Sequence, residues 1–370
     1  MNADPNKESG VMILKKIRFA IIGCGVIAPL HAQAIIKDER ASLVAVCDII
    51  EEKALAFARK FNVKDIYTDY QEMMKREDID AVSICVPSGL HGQCVMACAR
   101  AGKHVICEKP LDIHAEVMTQ MINVVQENKV RMGCIFQNRT LPMLKKAKEI
   151  LDSGQLGKMV IVECQYRGYR SPAYYKSAGW RGTWAMDGGG CLMNQGIHGV
   201  DMMCWLAGDV DSVYAETGHM LRDIEVEDTA HALLTFTNGA RGILMGTTLS
   251  HAEEVSSAGD LIRIECEKGA LVYSGGKTTL YLQDGDSYSS TKVKKIEISA
   301  DDTAGRASTS SDPAKVADEG HFILVNDMIS AIIEDRDPYI TGDSARKGVD
   351  VVLAIYESSR LGERVSVRHN

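Results

Sequence analysis

A glycine-rich turn between a short apolar run and an amphipathic one constrains this chain more than any other feature. The run Ile17–Ile22 is rich in β-branched residues and predicts a buried strand. The turn Gly23-x-Gly25-x-x-Ala28 follows it, and a helix is predicted over residues 27–36, with Pro29 tolerated in its first turn. A strand, a glycine turn and a helix in this order are typical of the first unit of a parallel α/β sheet.

The alternation of strand and helix signals continues to about residue 136. Further strands are predicted over 43–47, 81–86, 104–107 and 130–136, and helices over 51–61, 70–75, 90–101 and 113–127. Strands and helices that alternate at this spacing predict a parallel, doubly wound sheet. We therefore expect a Rossmann domain over residues 16–136. Residues 1–15 before it are interpreted as a disordered leader. Residues 1–10 are polar and mixed in charge, and a remnant of cloning is the equal alternative for them.

A different pattern begins near residue 137. A helix is predicted over 141–152, followed by alternating strand-like segments over 159–166, 212–219, 230–236, 240–248, 261–266 and 279–282. Thr237-Asn238-Gly239 indicates a hairpin between two of these segments. The pattern predicts an α+β domain over residues 137–370 with an open-faced, mostly antiparallel sheet, and such a face is expected to mediate a homodimer or homotetramer. Residues 301–315 are interpreted as a loop, and a C-terminal helix over about 344–361 is expected to pack back toward the first domain.

Composition argues against several classes of function. The chain has 370 residues, a formal net charge of −8 and a pI of about 5.7, so we expect no general nucleic-acid surface and no anionic-membrane surface. No apolar run approaches the roughly 18 residues that span a bilayer. The 11 cysteines are odd in number and many lie in apolar runs, which fits reduced thiols in a cytoplasm and no structural metal site.

The glycine turn carries the pattern of a dinucleotide-binding site. Gly23 allows the tight turn, Gly25 allows a pyrophosphate to approach the backbone, and Val26 and Ile27 lie where a helix N-terminus supplies N–H groups. Asp48 ends the second predicted strand, where a carboxylate can accept both ribose hydroxyls and repel a 2′-phosphate. This favours NAD over NADP. The alternative for Asp48 is a loop or helix-capping aspartate.

Three further strand ends are predicted to meet at the same edge of the sheet. The loop from Pro87 and Ser88 to His91 would lie beside the cofactor, although Ser88 could equally cap the following helix. Glu108-Lys109-Pro110 ends an apolar strand, where a charged pair serves chemistry better than stability. Gln137 follows the last parallel strand and could reach the nicotinamide amide; the alternative is a surface loop residue.

A second motif with candidate catalytic side chains runs from Gly188 to Asp201. Three glycines, Gly188 to Gly190, come before a helix-like stretch in which Asn194, His198 and Asp201 are spaced to share one face. An amide one turn before the histidine and an acid one turn after it favour catalysis over a satisfied buried histidine. A His/Asp metal site is the weaker third option because no further ligands stand at convincing spacing.

An aromatic and basic segment lies between these motifs. It runs from Tyr166 to Trp184 and includes Arg181. Flat aromatic rings suit sugars or bases, and arginines suit carboxylate or phosphate groups. We therefore assign Tyr166, Arg181 and Trp184, together with Asn194, to substrate binding. An interface loop that contacts a second subunit is the alternative.

Together these motifs resemble the Gfo/Idh/MocA family of sugar and polyol oxidoreductases. The resemblance covers the chain from Lys16 onward and rests on the glycine turn, the Pro87-Ser88 loop, Glu108-Lys109-Pro110 and the histidine helix. It implies a Rossmann domain, then an α/β domain whose open sheet mediates dimers or tetramers. It also implies that Lys109 and His198 are the catalytic lysine and histidine.

One position departs from the family pattern. Many members carry aspartate four residues before the histidine, whereas this chain has Asn194, which argues against a simple inositol dehydrogenase. The segment from Trp180 to Trp184 and the residues leading to His198 look more like a branch of UDP-N-acetyl-2-amino-2-deoxyglucuronate dehydrogenases. That branch is NAD-dependent and oxidises the 3-hydroxyl of its sugar.

The resemblance implies hydride transfer between a sugar hydroxyl or ketone and NAD. The substrate is then a sugar acid or nucleotide sugar, such as UDP-N-acetyl-glucosaminuronate. His198 or Lys109 is the base, a protonated Lys109 would stabilise an alkoxide, Glu108 would orient Lys109, and Asn194 would position the hydroxyl. Two alternatives stay open: a free-sugar or inositol dehydrogenase, and a non-catalytic NAD-binding regulator that needs neither Lys109 nor His198.

Overall fold

The structure is a computed structural model that describes residues 16–251, 260–283, 293–298 and 319–368. The expected leader over residues 1–15 and the expected loop over 301–315 lie outside the described residues. Two sheets organise the chain. We call residues 17–134, which form the first sheet, the N-terminal half, and residues 142–366, which form the second, the C-terminal half.

The first sheet has six parallel strands in the order β3-β2-β1-β4-β5-β6. Its strands are β1 (Ile17–Ile22), β2 (Ala41–Cys47), β3 (Asp65–Tyr67), β4 (Ala81–Ile84), β5 (His104–Cys107) and β6 (Met132–Cys134). The intervening helices are α1 (Ala28–Lys37), α2 (Glu51–Phe61), α3 (Tyr70–Met74), α4 (His91–Arg100) and α5 (Ala115–Glu127). This is the predicted Rossmann arrangement, which is thereby confirmed.

The central strands of the first sheet form the buried core of the N-terminal half. Every residue of β4 and the last four residues of β1 are buried, because helices cover both sheet faces. The strand order reverses between β1 and β4, which opens a crevice at the carboxyl ends of these strands. β3 is a three-residue edge strand with an exposed Asp65. It was not predicted, because so short a segment shows no hydrophobic periodicity.

The second sheet has nine strands in the order β14-β13-β12-β11-β7-β10-β9-β8-β15. They are β7 (Met159–Arg167), β8 (Val210–Gly218), β9 (Thr229–Phe236), β10 (Arg241–Thr247), β11 (Asp260–Cys266), β12 (Gly269–Ser274), β13 (Lys277–Gln283), β14 (Val293–Ile298) and β15 (Val365–Ser366). β7 and β10 pair in parallel, and the other neighbours run antiparallel. The mostly antiparallel sheet is therefore also as expected.

Helices lie along one face of this sheet. They are α6 (Pro142–Asp152), α8 (Ile197–Ala207) and α10 (Gly342–Leu361), whereas α7 (Pro172–Lys176) is a short helix after β7, and α9 (Glu319–Glu334) packs on α1 and β5 of the N-terminal half. α8 packs on β7 and β11, and α10 packs on β8. The opposite face carries exposed aliphatic side chains on three adjacent strands, at Ile161, Leu233 and Ile243.

The last two helices return to the N-terminal half. In α9, Asn326 Nδ2 donates to Asp38 Oδ2 at 2.8 Å, and Ser330 Oγ accepts from Arg40 Nη1 at 3.0 Å. In α10, Arg346 Nη1 donates to Thr119 Oγ1 of α5 at 3.1 Å. α9 was absent from the sequence-based prediction. It packs on α1 and β5, and it carries further apolar residues, Phe322, Ile332 and Ile333, outside its buried face, so the sequence shows no single apolar stripe.

A buried ion pair joins the segment after β6 to α8. Arg139 Nε and Nη2 donate to Asp201 Oδ2 and Oδ1 at 2.8 and 2.5 Å. Arg139 Nη1 also donates to Ser344 Oγ of α10 at 2.6 Å. The two charged side chains are only 4% and 1% exposed, so each depends on the other for solvation.

We expect Asp201→Asn to lower the free energy of unfolding by about 3 kcal/mol, because it leaves a buried guanidinium without its counter-charge. The control is Glu149→Gln, which breaks the Lys146–Glu149 pair, whose side chains are 60% and 66% exposed. That control should change stability by less than about 0.5 kcal/mol. Denaturant titrations of both variants measure the difference. Equal, small losses would contradict a structural role for the Arg139–Asp201 pair.

Candidate active site

A cavity of about 810 Å³ opens at the carboxyl ends of the first sheet, and residues of both halves line it. Most of the residues selected from the sequence lie on its wall: Gly23, Gly25, Val26, Ile27, Asp48, Pro87, Ser88, Glu108, Lys109, Gln137, Tyr166, Arg181, Asn194 and His198. Strand ends of a parallel sheet meet at one edge, which is why positions distant in sequence converge here.

The glycine turn forms one end of the cavity. Gly23 has φ +93°, and a Cβ placed on it would lie 2.6 Å from the Cys85 carbonyl oxygen, so a larger residue is excluded. A Cβ on Gly25 would meet nothing within 4 Å. The turn is fastened by Asp48, whose Oδ2 accepts from the Cys24 N–H at 2.8 Å and whose Oδ1 accepts from the Ile50 N–H at 2.9 Å.

The carboxylate of Glu108 is the centre of a buried cluster beside the turn. His31 Nε2 of α1 and His321 Nε2 of α9 donate to its Oε1 at 2.9 and 3.1 Å. Ser83 Oγ lies 2.5 Å from His31 Nδ1. A carboxylate can only accept, so each Nε2 carries a proton. Burial alone would raise the pKa of Glu108, but the two imidazole donors outweigh it and hold that pKa well below its ordinary value.

Glu108 does not orient the Lys109 amine in the way the sequence suggested. Its Oε2 accepts from the Lys109 backbone N–H at 3.2 Å, so it fixes the main chain. The ammonium group instead donates to the main-chain oxygen of Asn194 at 3.0 Å. Burial lowers the pKa of Lys109, while the charges of Glu108 and Asp187 raise it. The amine is therefore held closer to neutral pH than an exposed lysine.

A buried carboxylate, Glu227, fastens the glycine run that precedes His198. Its Oε2 accepts from the Gly190 N–H at 2.8 Å and its Oε1 from the Leu192 N–H at 2.9 Å. A Cβ on Gly190 would lie 1.8 Å from the Glu227 carbonyl oxygen, so only glycine fits there. The chain then makes a π-helical turn over Cys191–Gly196 before α8 begins. Such turns occur often at functional sites.

The π-helical turn separates the predicted polar stripe into different environments. His198 lines the cavity, but its Nδ1 is buried without a hydrogen-bond partner in the described part of the chain. Asp201 is bound to Arg139 and not to the imidazole. Burial and then the Lys109 charge hold the pKa of His198 well below its ordinary value. Both effects favour the neutral imidazole.

Asn194 instead has a carboxylate partner from earlier in the chain. Its Nδ2 donates to Asp187 Oδ1, whose other oxygen accepts from the Gly182 N–H at 2.8 Å. The Asn194 Oδ1 accepts from Gln195 Nε2 at 2.7 Å. Burial raises the pKa of Asp187 to about 6, against opposing hydrogen bonds from Gly182 and Asn194.

Two guanidinium groups flank one phenol ring on the substrate side of the cavity. The Arg170 and Arg181 Cζ atoms lie 4.8 and 4.2 Å from the Tyr174 ring centroid. Arg181 Nη1 donates to the Tyr174 hydroxyl, and its Nε is buried without a hydrogen-bond partner among the described residues. Both arginines line the cavity, which suits an anionic ligand group.

Two selected residues have other roles. His91 lies outside the cavity wall, and its Nδ1 and Nε2 contact the Pro110 and Val86 carbonyl oxygens at 2.7 and 3.0 Å, so its ring braces two strand-end loops. Trp184 is also off the wall and packs edge-on against Tyr356 at 5.2 Å. The structure therefore does not bring His91 and Trp184 to the cavity wall with the other selected residues, because chain proximity does not fix side-chain direction.

The structure distinguishes between the alternatives that the sequence left open for Ser88 and Gln137. Ser88 lines the cavity, and α4 after it begins without a side-chain cap, which favours a ligand contact over capping. Gln137 is buried, lines the cavity and leaves its Oε1 without a hydrogen-bond partner among the described residues. It is therefore not a surface loop residue.

Several site residues escaped the sequence analysis. His31 and His321 complete the Glu108 cluster, Asp187 partners Asn194, and Glu227 fastens the glycine run. His31 lies one turn into the helix that follows the glycine turn, which was a usable signal. His321 had none, because its helix was not anticipated and lies 213 residues from Glu108.

The cavity fits a nicotinamide dinucleotide. Open space at Gly25, a carboxylate at Asp48 and an unpartnered amide oxygen at Gln137 lie on one wall, and the lysine–histidine pair lies on the cavity wall as well. A Rossmann half with such a wall, closed by a second half that carries catalytic groups, defines a class of NAD-binding oxidoreductase.

Comparison with protein families gives the same answer. Residues 17–136 match the oxidoreductase family with an NAD-binding Rossmann fold, and residues 144–272 match the GFO/IDH/MocA C-terminal domain. The chain belongs to the GFO/IDH/MocA family of oxidoreductases. It binds NAD through its Rossmann half, as expected from the sequence.

Several relatives are sugar or polyol dehydrogenases. The WlbA dehydrogenase of Bordetella pertussis, solved with NADH and UDP-GlcNAcA, is 30% identical with a TM-score of 0.81, and the match covers 96% of this chain and 100% of that one. Myo-inositol 2-dehydrogenase of Thermotoga maritima is 30% identical over 62% of this chain and 67% of its own. Levoglucosan dehydrogenase with NADH and levoglucosan, at 21% identity and a TM-score of 0.82, shares the fold; the match covers 96% of this chain and 100% of that one.

Across the described residues, no helix is both long and apolar enough to cross a bilayer.

Paired glycine variants separate folding from cofactor binding. We expect Gly23→Ala to lower the free energy of unfolding by about 1–3 kcal/mol, because its φ and its 2.6 Å approach to Cys85 both exclude a Cβ. Gly25→Ala should leave stability unchanged and weaken NADH binding, because its Cβ would occupy the open space beside the turn. Thermal unfolding and NADH fluorescence titration measure the two effects. If Gly25→Ala bound NADH as wild type does, the pyrophosphate would not lie at this turn.

Proposed function

We propose that this protein is an NAD-dependent dehydrogenase acting on a sugar acid or nucleotide sugar such as UDP-N-acetyl-glucosaminuronate. Hydride would pass between a sugar hydroxyl carbon and the nicotinamide, with a cofactor domain over residues 16–136 and a substrate domain over 137–370. The single observation that carries the proposal is the shared cavity in which Lys109 and His198 line the wall together with Asp48 and two arginines.

Lys109 is the group we assign to proton transfer. Oxidation of an alcohol needs a base, and a base works best when its pKa lies near the working pH. Burial brings the pKa of Lys109 down toward that range, whereas the pKa of His198 lies well below its ordinary value. An imidazole without a carboxylate partner is a poor proton acceptor. His198 then orients the reacting hydroxyl as a neutral hydrogen-bonding group.

The arginine pair supports an anionic substrate. Arg170 and Arg181 hold their charged planes against Tyr174 in the cavity wall, where guanidinium groups can bind a carboxylate or phosphate with two parallel hydrogen bonds. A neutral sugar or an inositol has no anionic group that could bind these guanidinium charges. The UDP-GlcNAcA in the WlbA structure carries both kinds of anionic group.

Asp48 supports NAD over NADP. Its two oxygens are fixed by the N–H groups of Cys24 and Ile50, and it lines the cavity next to the glycine turn. A carboxylate held there would repel a 2′-phosphate and accept ribose hydroxyls. The 11 cysteines are free thiols, which supports a reducing, cytoplasmic setting.

The direct test is a panel of UDP-sugars, sugar acids, aldoses and inositols, each assayed by NADH absorbance with NAD and with NADP. We expect the anionic substrates with NAD to give the highest kcat/KM. Lys109→Ala and His198→Ala should each lower that value by about 10²- to 10⁴-fold. Highest activity on inositol or a free aldose would favour the alternative dehydrogenase. NADH binding with no turnover on any member would favour the non-catalytic regulator.

The pH profile distinguishes the roles of Lys109 and His198. The Lys109 amine accepts a proton only when neutral, so the oxidation rate should rise with pH through its lowered pKa. This rise should disappear in Lys109→Ala and persist in His198→Ala. The opposite pattern would assign the base to His198.

We also propose that the open face of the second sheet forms a homodimer or homotetramer. Ile161, Leu233 and Ile243 are 41%, 53% and 50% exposed on adjacent strands, and exposed apolar surface of this kind marks an interface. Leu233 and Ile243 are cross-strand partners.

We expect the double variant Leu233→Asp/Ile243→Asp to run as a monomer in light scattering, because it places two carboxylates within that contact. Val26→Asp changes an aliphatic residue that is 59% exposed but lies on the glycine turn, and it should keep the wild-type assembly. A wild-type monomer at micromolar concentration would contradict the proposed interface.

A further inference from the structure

Asp187 is a buried carboxylate that the proposed chemistry does not yet use. Its residue is 1% exposed and does not line the cavity, so it cannot touch a ligand directly. It lies in the turn before the glycine run, where its backbone N–H donates to the Thr183 carbonyl at 3.1 Å. Burying an ionisable group carries a free-energy penalty, so a specific arrangement must hold it.

Both Asp187 oxygens are engaged. One accepts from the backbone N–H of Gly182 at 2.8 Å, and the other accepts from the Asn194 amide. Since a carboxylate only accepts, this contact decides which end of the Asn194 side chain is nitrogen. Asn194 Oδ1 then faces the Gln195 amide at 2.7 Å. The carboxylate therefore sets the orientation of an amide in the cavity wall.

Asn194, which Asp187 orients, is also linked to Lys109. The main-chain oxygen of Asn194 accepts from the Lys109 ammonium at 3.0 Å, so the residue that Asp187 holds is also the one that holds the amine. The charged and titratable groups that act on Lys109 are Glu108, Asp187, Arg170 and Arg181, together with His198, whose own pKa Lys109 lowers. Of these, Glu108 and Asp187 are the negative ones.

The Glu108 carboxylate already accepts hydrogen bonds from two imidazole groups. His31 and His321 both donate to the Glu108 oxygen Oε1, whereas the oxygens of Asp187 face only neutral amide N–H groups in the contacts described above. Arg170 and Arg181 act in the opposite direction, because their positive charges lower the pKa of Lys109 and favour a neutral amine. Asp187 is thus placed to offset them.

We propose that Asp187 is a positioning residue for this active site: its carboxylate orients the Asn194 amide and supplies the counter-charge that keeps the Lys109 amine able to hold a proton. The carboxylate stands behind Asn194, seven residues earlier in the chain, and acts on the substrate only through Asn194 and Lys109. The kinetic part of the proposal rests on the proposed function; the electrostatic part does not.

The test compares Asp187→Asn with Glu225→Gln. Glu225 is an exposed carboxylate whose Oε2 accepts from the Trp184 backbone N–H at 3.0 Å, so the control makes the same acid-to-amide change near the same turn. The first readout is the pKa of the Lys109 amine, followed by NMR of reductively ¹³C-methylated protein, with Lys109→Arg used to assign the signal. It needs no substrate.

We expect Asp187→Asn to shift the Lys109 titration to lower pH, because a nearby negative charge is removed. Glu225→Gln should leave it in place. NADH affinity should stay within about threefold in both variants, since neither residue lines the cavity. A Lys109 titration that is identical in the two variants would overturn the proposal.

Exchanging the pair tests the positioning role. Asp187→Asn should lower kcat by about 10- to 100-fold with a smaller change in KM, because a misplaced group acts mainly on the transition state. The double variant Asp187→Asn/Asn194→Asp restores one carboxylate–amide contact and should recover most of the loss. If the double variant were no better than Asp187→Asn, orientation of residue 194 would not be the role of Asp187.

The two readouts keep the two proposals apart. If wild type turns over no member of the substrate panel, the proposed function fails, and the Lys109 titration still decides the role of Asp187. If Asp187→Asn does not fold, the exchanged variant takes its place. It should then show a Lys109 titration at or above the wild-type pH, because the carboxylate has moved to the residue that contacts the amine. A lower one would overturn the proposal.

Discussion

The carboxylate of Glu108 is the contact on which the active-site geometry depends. Its Oε1 receives one imidazole from the helix after the glycine turn and another from α9 of the C-terminal half, while its Oε2 receives the Lys109 backbone N–H. Leaving one of these buried donors unpaired would cost about 1–3 kcal/mol. One side chain thus joins α1, the Lys109 backbone and α9.

Hydrogen bonding around the cavity separates supporting groups from groups left for a ligand. Glu227 and Asp187 are satisfied by backbone and side-chain donors and lie behind the wall. Gln137 Oε1, His198 Nδ1 and Arg181 Nε are buried without a partner among the described residues, and all three residues line the wall. Because an unpaired buried polar atom is unfavourable, its presence in a wall is a mark of a binding site.

The N-terminal half was readable because its signals are local. The glycine turn, the apolar strands and the helix at Glu51–Phe61 follow from periodicity and from residues with special backbone freedom. Asp48 and Lys109 could be selected because each ends a strand. The direction of a side chain could not, since it depends on what packs against it: His91 braces two carbonyl oxygens and Trp184 packs on Tyr356. The same limit hid the hydrogen bond between Asn194 and Asp187.

The sequence alone determined the parallel sheet, the cofactor turn and the family, because each is written in short stretches of neighbouring residues. It also brought Lys109 and His198 forward as chemical groups. Only the tertiary structure decided their electrical environment, because burial and neighbouring charges come from residues far apart in the chain. His321 lies 213 residues from Glu108 in the sequence, so no local sequence pattern could predict their contact.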